Sequence, residues 1–186
     1  MRPSSNRARR TLTACLLPFV MIVAAPAAAA ALDCDRVSAQ ALTEGVPRSS
    51  APRVLALHGS VPIVTMAPFA AFLEAMGYPP ERLAHPAGGA RSLSSFVDAR
   101  RFAGEIAWHY ERDGGMPVLV GHSQGGMVVI KTLHELAGRN GDVPVFDPLV
   151  AQVESRTWIV DPASGQRRSV TALRVGFAAA LATGSL

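Results

Sequence analysis

Residues 121–126 read Gly-His-Ser-Gln-Gly-Gly, and they constrain the fold of this 186-residue chain more than any other segment. They follow an apolar run, Pro117-Val118-Leu119-Val120, and precede an apolar-periodic stretch over 127–137. A strand that passes into a helix through one serine turns so sharply that the flanking positions cannot carry a Cβ. Gly121 and Gly125 meet that requirement. The serine hydroxyl then projects at the carboxyl edge of a sheet. It lies beside a helix N-terminus whose free N–H groups favour developing negative charge.

The first residues are set aside from fold reasoning. Arg2, Arg7, Arg9 and Arg10 form a basic stretch without an acid, 12–25 is an apolar core, and 27–31 supplies small residues for cleavage. That is the anatomy of a secretory signal peptide over 1–31, followed by one domain over 32–186. An uncleaved anchor fits the alanine-rich, cleavage-like end of the run less well. Arg9-Arg10 lacks the flanking residues of a twin-arginine signal, and no apolar core precedes Leu12-Thr13-Ala14-Cys15 as in a lipoprotein. The expectation is export, with no stable membrane insertion after cleavage. The leader also explains the charge. Of 18 basic residues it holds four, against none of the 14 acids, so the remainder is balanced. The remainder carries no basic signature for nucleic acid or an anionic membrane. Cys34 is the lone cysteine after cleavage, a free thiol or half of a missing pair.

Along the domain the pattern alternates. Residues 32–42 read as a helix, 43–52 as a Gly/Pro/Ser loop, and 53–57 as an apolar strand closing on His58-Gly59. Thr65 is expected to cap a helix with apolar positions 66, 69, 70, 73 and 76, ended by Gly77. Residues 82–85 read as a short strand. Ser95 and Asp98 resemble a capping box for a helix that places Phe96, Val97, Ala103, Ile106, Ala107 and Tyr110 on one side and stops at Gly114-Gly115. Beyond Gly138 the signal weakens. Residues 141–148 look like loop, and 157–160 and 168–173 read as two strands about the turn Asp161-Pro162-Ala163-Ser164-Gly165. Residues 175–186 are apolar and uncharged. Strand–helix–strand–helix–strand–helix is the rhythm of a parallel α/β sheet.

Two motifs resemble the α/β-hydrolase superfamily, most closely secreted bacterial lipases and esterases. One is Leu55-Ala56-Leu57-His58-Gly59-Ser60, and the other is the stretch 121–126. Residues 66–83, with Gly77-Tyr78-Pro79, are similar to the stretch after the His-Gly turn in bacterial lipases. The resemblance covers roughly 53–138. It implies a three-layer, mostly parallel sheet with flanking helices. It implies Ser123 as the nucleophile that forms an acyl-enzyme, with the backbone N–H groups of Gln124 and Ser60 as oxyanion donors. The implied substrate is a small-molecule or lipid ester, and no cofactor is called for.

The remaining histidines are weighed individually. His58 is expected to brace the oxyanion loop and His122 to pack beneath the serine. His109, next to Trp108, reads as a surface or boundary residue. His134 is 11 residues past Ser123 along one helix, hence more than about 15 Å away at 1.5 Å per residue. His85 precedes the serine, against the superfamily order of Ser, then Asp or Glu, then His. No histidine follows His134. The acid is equally elusive: Asp161 reads as a turn residue, and Asp142 and Asp147 as solvated loop residues. The missing base, the uncharged end and the unpaired Cys34 give one expectation: an N-terminal portion of a hydrolase domain, incomplete at its C-terminus and inactive as it stands. Two alternatives stay open. One is a non-catalytic remnant that binds a ligand at the oxyanion site. The other is a different acyl hydrolase, a thioesterase or peptidase. No metal-spaced His/Cys cluster or P-loop occurs in the sequence.

Overall fold

A computed structural model describes residues 51–61 and 64–183. The leader expected over 1–31, the helix expected over 32–42, Cys15 and Cys34 lie outside the described residues. Three strands run parallel in the order β1 (Val54–Leu57), β2 (Val118–His122), β7 (Ala178–Leu181), with β2 in the middle. Val54 pairs with Val118 and Leu57 with Gly121. On the other side Leu119 pairs with Ala178 and His122 with Leu181.

Side chains alternate across a strand, so each strand feeds two faces. Leu55, Leu57 and Leu119 join a core with Phe102, Ile106, Val128 and Val129. Those partners come from α3 (Ala99–Asp113) and α4 (Gln124–Leu136). Val54, Ala56 and Val120 instead meet Met66, Ala70 and Leu83. Ala70 and Leu83 belong to α1 (Ala67–Ala75) and α2 (Pro80–Leu83). The chain is therefore α/β, with apolar cover on both faces of a small parallel sheet. Removing one of these fully buried side chains, such as Leu57, costs about 2–5 kcal/mol.

Helix α3 starts where Asp98 accepts the Arg101 N–H at 2.8 Å. It ends where Gly114 turns left-handed at φ 73° and bonds back to the Tyr110 carbonyl. Every residue over 102–109 is buried, so its middle is covered all round. The outer cover comes from two small antiparallel pairs. These are β3 (Phe146–Asp147) with β4 (Gln152–Val153), and β5 (Trp158–Val160) with β6 (Arg167–Ser169). The approach is close: a Cβ on Gly104 would stand 2.2 Å from the Pro144 carbonyl oxygen. Glu111 ties the β5 side down by accepting the Val160 N–H at 2.6 Å and pairing with Arg156.

Several local expectations change. Residues 80–83 form a helical turn rather than entering a strand, because Pro79 and Pro80 preset a helix start. Met66, not Thr65, is the N-cap of α1, although the Thr65 hydroxyl does accept the Ala67 N–H at 3.4 Å. Asp98 alone caps α3. Ser95 is buried and turned elsewhere, and Phe96 lies before the helix, 70 % exposed. Residues 178–181 enter the sheet as its third strand. The hairpin expected about the Asp161 turn is present, with Val170–Ala172 finishing as a 3-10 turn. No helix among the described residues is long and apolar enough to cross a membrane.

Candidate active site at the serine turn

Strand β2 ends at His122, α4 begins at Gln124, and Ser123 alone makes the change of direction. Its backbone sits at φ 53° and ψ −119°. A side-chain-bearing residue held there costs about 1–3 kcal/mol and persists only where its surroundings fix it. They do. The Ser123 N–H donates to the Leu181 carbonyl at 2.7 Å, and the Ser123 carbonyl accepts from Gly126 at 3.0 Å. The turn is also packed to backbone contact. A Cβ on Gly121 would lie 2.3 Å from the Gly125 carbonyl oxygen, and one on Gly125 would lie 2.5 Å from that of Leu57.

The two sequence motifs meet here. A Cβ on Gly59 would stand 3.1 Å from the Ser123 Cβ and 3.5 Å from its Oγ. The His-Gly turn is held against the serine by a small network. The Gly59 carbonyl accepts from His58 Nδ1 at 2.6 Å and from the buried Ser95 hydroxyl at 3.1 Å. The Gln124 amide donates to the Ser95 carbonyl at 3.4 Å. The His58 N–H bonds Leu93, which bridges β1 in parallel at Leu57.

Gln124 is the first residue of α4, and the first N–H groups of a helix have no partner within it. Its backbone N–H has no partner among the described residues and can serve an anion at the serine. Ser60 follows Gly59 directly and is exposed. A cleft of about 510 Å³ starts at Gln124 and runs between the start of α3 and α4, past Phe96, Arg100, Met127, Lys131 and His134. Ser123 stands beside this cleft rather than in its lining.

All five histidines fall within the described residues, and none of them hydrogen-bonds Ser123 Oγ. Among the described residues, His122 Nδ1 is buried without a hydrogen-bond partner. His134 is exposed, toward the far end of α4. Asp161 is a turn residue: its carboxylate accepts from the Ala163 N–H, Tyr110 and Arg168.

A second constellation was not foreseen. His109, expected at a surface or boundary, is fully buried on α3, where the rings of Trp108 and His85 pack edge-on against it at 5.1 and 6.0 Å between centroids. It meets His85 and Glu105: His85 Nε2 lies 2.7 Å and His109 Nε2 3.7 Å from the same Glu105 oxygen. The spacing of Glu105 and His109, four apart on one helix, was the available signal. Burial alone would raise the Glu105 carboxyl, but contact with His109 and His85 outweighs it and holds the group down at about 2. Burial also lowers His109, and there it prevails. Burial would lower His85, but its hydrogen bonds to the Glu105 carboxylate and the Ala87 carbonyl outweigh that and raise it.

No family model, no curated protein and no solved structure matches this chain.

Proposed function

We propose that this chain carries the nucleophile and oxyanion machinery of an exported serine carboxylic-ester hydrolase of the α/β-hydrolase type, lipase- or esterase-like. The observation that carries this reading is the strained Ser123 backbone, fixed at a strand-to-helix turn with Gly59 seated against it. Nothing in packing alone requires a serine at φ 53°, where glycine would rest without strain. Cover on both faces of the parallel sheet supports the three-layer arrangement of that type.

In this reading Ser123 Oγ attacks the ester carbonyl carbon and loses its proton to a base. The carbonyl oxygen becomes an oxyanion held by the Gln124 and Ser60 N–H groups, each worth about 2.7–4 kcal/mol. The alcohol departs with a proton, and water then cleaves the acyl-enzyme. A second reading, a ligand-binding remnant without turnover, is favoured by one observation: none of the five histidines bonds Ser123. Imidazole in solution can stand in for a missing base and so separates the two. The 186-residue chain is incubated with p-nitrophenyl butyrate, with and without imidazole, and the butyryl group is mapped by peptide mass. Acylation of Ser123 that imidazole accelerates supports the hydrolase reading. Absence of any adduct on Ser123 overturns it.

A further inference from the structure

His85, Glu105 and His109 bring three ligand atoms within 4.8 Å of one another, away from the serine turn and on different elements. His85 comes from the loop after α2, whereas Glu105 and His109 are one turn apart on α3. A tetrahedral zinc centre has bonds of about 2.0–2.2 Å, so its ligand–ligand edges are about 3.3–3.5 Å. The two edges at Glu105 are 2.7 and 3.7 Å, on either side of that value. Small side-chain shifts would therefore seat an ion.

The buried side chains give an independent observation. His109 is 0 % exposed, yet neither ring nitrogen has a hydrogen-bond partner among the described residues. A fully buried imidazole with both nitrogens unsatisfied is costly and demands an explanation. Its Nε2 is aimed at the Glu105 carboxylate that His85 also contacts.

The opposite ring edges match as well. Metal-ligating histidines almost always present their other nitrogen to a carboxylate or a backbone carbonyl, which fixes the tautomer. His109 Nδ1 faces Asp113 at 3.8 Å, and His85 Nδ1 lies 3.0 Å from the Ala87 carbonyl. The Ala87 N–H also lies 3.2 Å from His85 Nδ1, and in the tautomer whose Nδ1–H donates to the Ala87 carbonyl both rings leave Nε2 for the same point. The nearby cations do not oppose an ion strongly, because Arg53 and Arg82 are both engaged by Asp113.

We propose that His85 Nε2, His109 Nε2 and Glu105 form a binding site for a divalent transition metal, zinc by ligand chemistry. Three protein ligands leave a fourth position for water. Two imidazoles and one carboxylate suit Zn²⁺ rather than Mg²⁺ or Ca²⁺, which take oxygen ligands. The ion would fasten the loop after α2 to the middle of α3. That loop leads to Leu93, which bridges β1, and so to the His-Gly turn.

The test uses the full chain, stripped with chelator and re-equilibrated with zinc chloride, then read by elemental analysis and thermal melting. The expected result is one zinc per chain and a raised melting temperature. Cobalt chloride in place of zinc gives the visible absorption of a tetrahedral site. His85→Gln, at a half-buried loop position, abolishes the cobalt band while its circular dichroism stays native. Asp113→Asn lowers zinc affinity by about 10- to 100-fold. His134→Gln and Ser123→Ala leave binding unchanged, which keeps this site separate from the serine chemistry. A wild-type chain that keeps no zinc, or a cobalt band undiminished in His85→Gln, overturns the proposal.

Discussion

Gly59 and Ser123 approach so closely that a Cβ on the glycine would stand 3.1 Å from the serine Cβ. The contact joins the end of β1 to the end of β2, adjacent strands in register from Val54 opposite Val118 to Leu57 opposite Gly121. The proposed nucleophile and the turn proposed to form the oxyanion hole are thereby held together by sheet pairing. The precision of the site follows from the ladder of backbone hydrogen bonds beneath it.

Gly59→Val should separate these two elements. The branched side chain has to displace Ser123 or the His-Gly turn, at about 1–3 kcal/mol in stability. Acylation of Ser123 by p-nitrophenyl butyrate should fall further than stability does, because the proposed oxyanion donor moves with the turn. Thermal melting together with mass-mapped acylation checks both effects. Unchanged acylation would mean that the Gly59 contact is incidental.

Ser123 bears the backbone strain, so replacing it tests where that strain comes from. Ser123→Gly relieves the φ 53° conformation and should raise stability by about 1 kcal/mol, after the greater chain entropy of glycine is offset. Ser123→Ala keeps a Cβ and therefore the strain, and should melt near the parent. Both abolish acylation. Equal melting of the two variants would show that the turn is not strained. A stabilising change that removes the proposed nucleophile is the trade expected if the proposed site works.

The elements legible in the sequence are those with strong periodicity and punctuation: β1, β2, α3, α4, and the hairpin about Asp161. Each failure has a local physical cause. Four residues of α2 are too short for a helical period to show, and their prolines carried the signal instead. Strand β7 is three alanines and a leucine, weak strand formers. It exists because β2 offers an open ladder on that side. The burial of His109 was hidden because an amphipathic reading assumes one wet face. Here His85, from the loop after α2, packs over that side of α3. At the serine turn, the resemblance carried by the two motifs pointed to Ser123, Gln124 and the His-Gly turn, and the structure brings Gly59 against Ser123. The tie through Ser95 and the grouping of His85 with Glu105 depend on tertiary contacts that spacing does not encode.

The absence of a histidine at Ser123 predicts kinetics. A serine without a base stays protonated, and an oxyanion hole with binding alone leaves about 10³–10⁴-fold over water in related enzymes. The 186-residue chain should show no Ser123-dependent turnover of p-nitrophenyl butyrate above that residual level. Comparison of the parent with Ser123→Ala under multiple-turnover conditions checks it. Robust turnover lost in Ser123→Ala would instead require a base among the present histidines, beginning with His122, whose Nδ1 is buried without a partner among the described residues.

Acid stability should report on Asp161. Its carboxyl is held below the ordinary 3.8 by the Ala163 N–H first and then by Arg168, with burial opposing and Tyr110 assisting. A group depressed in the folded state contributes stability that is fully present above its unfolded value. That contribution is lost as pH falls through the lower, folded value. The window therefore opens just below 3.8 and extends downward. Asp161→Asn keeps the turn geometry but removes the titration. It should lower the melting temperature at neutral pH and flatten the fall of melting temperature below pH 4, the roughly 3.9 of a free aspartate marking the start of the loss. Melting of parent and variant across acid pH checks this. Parallel curves would place the acid sensitivity of the hairpin elsewhere.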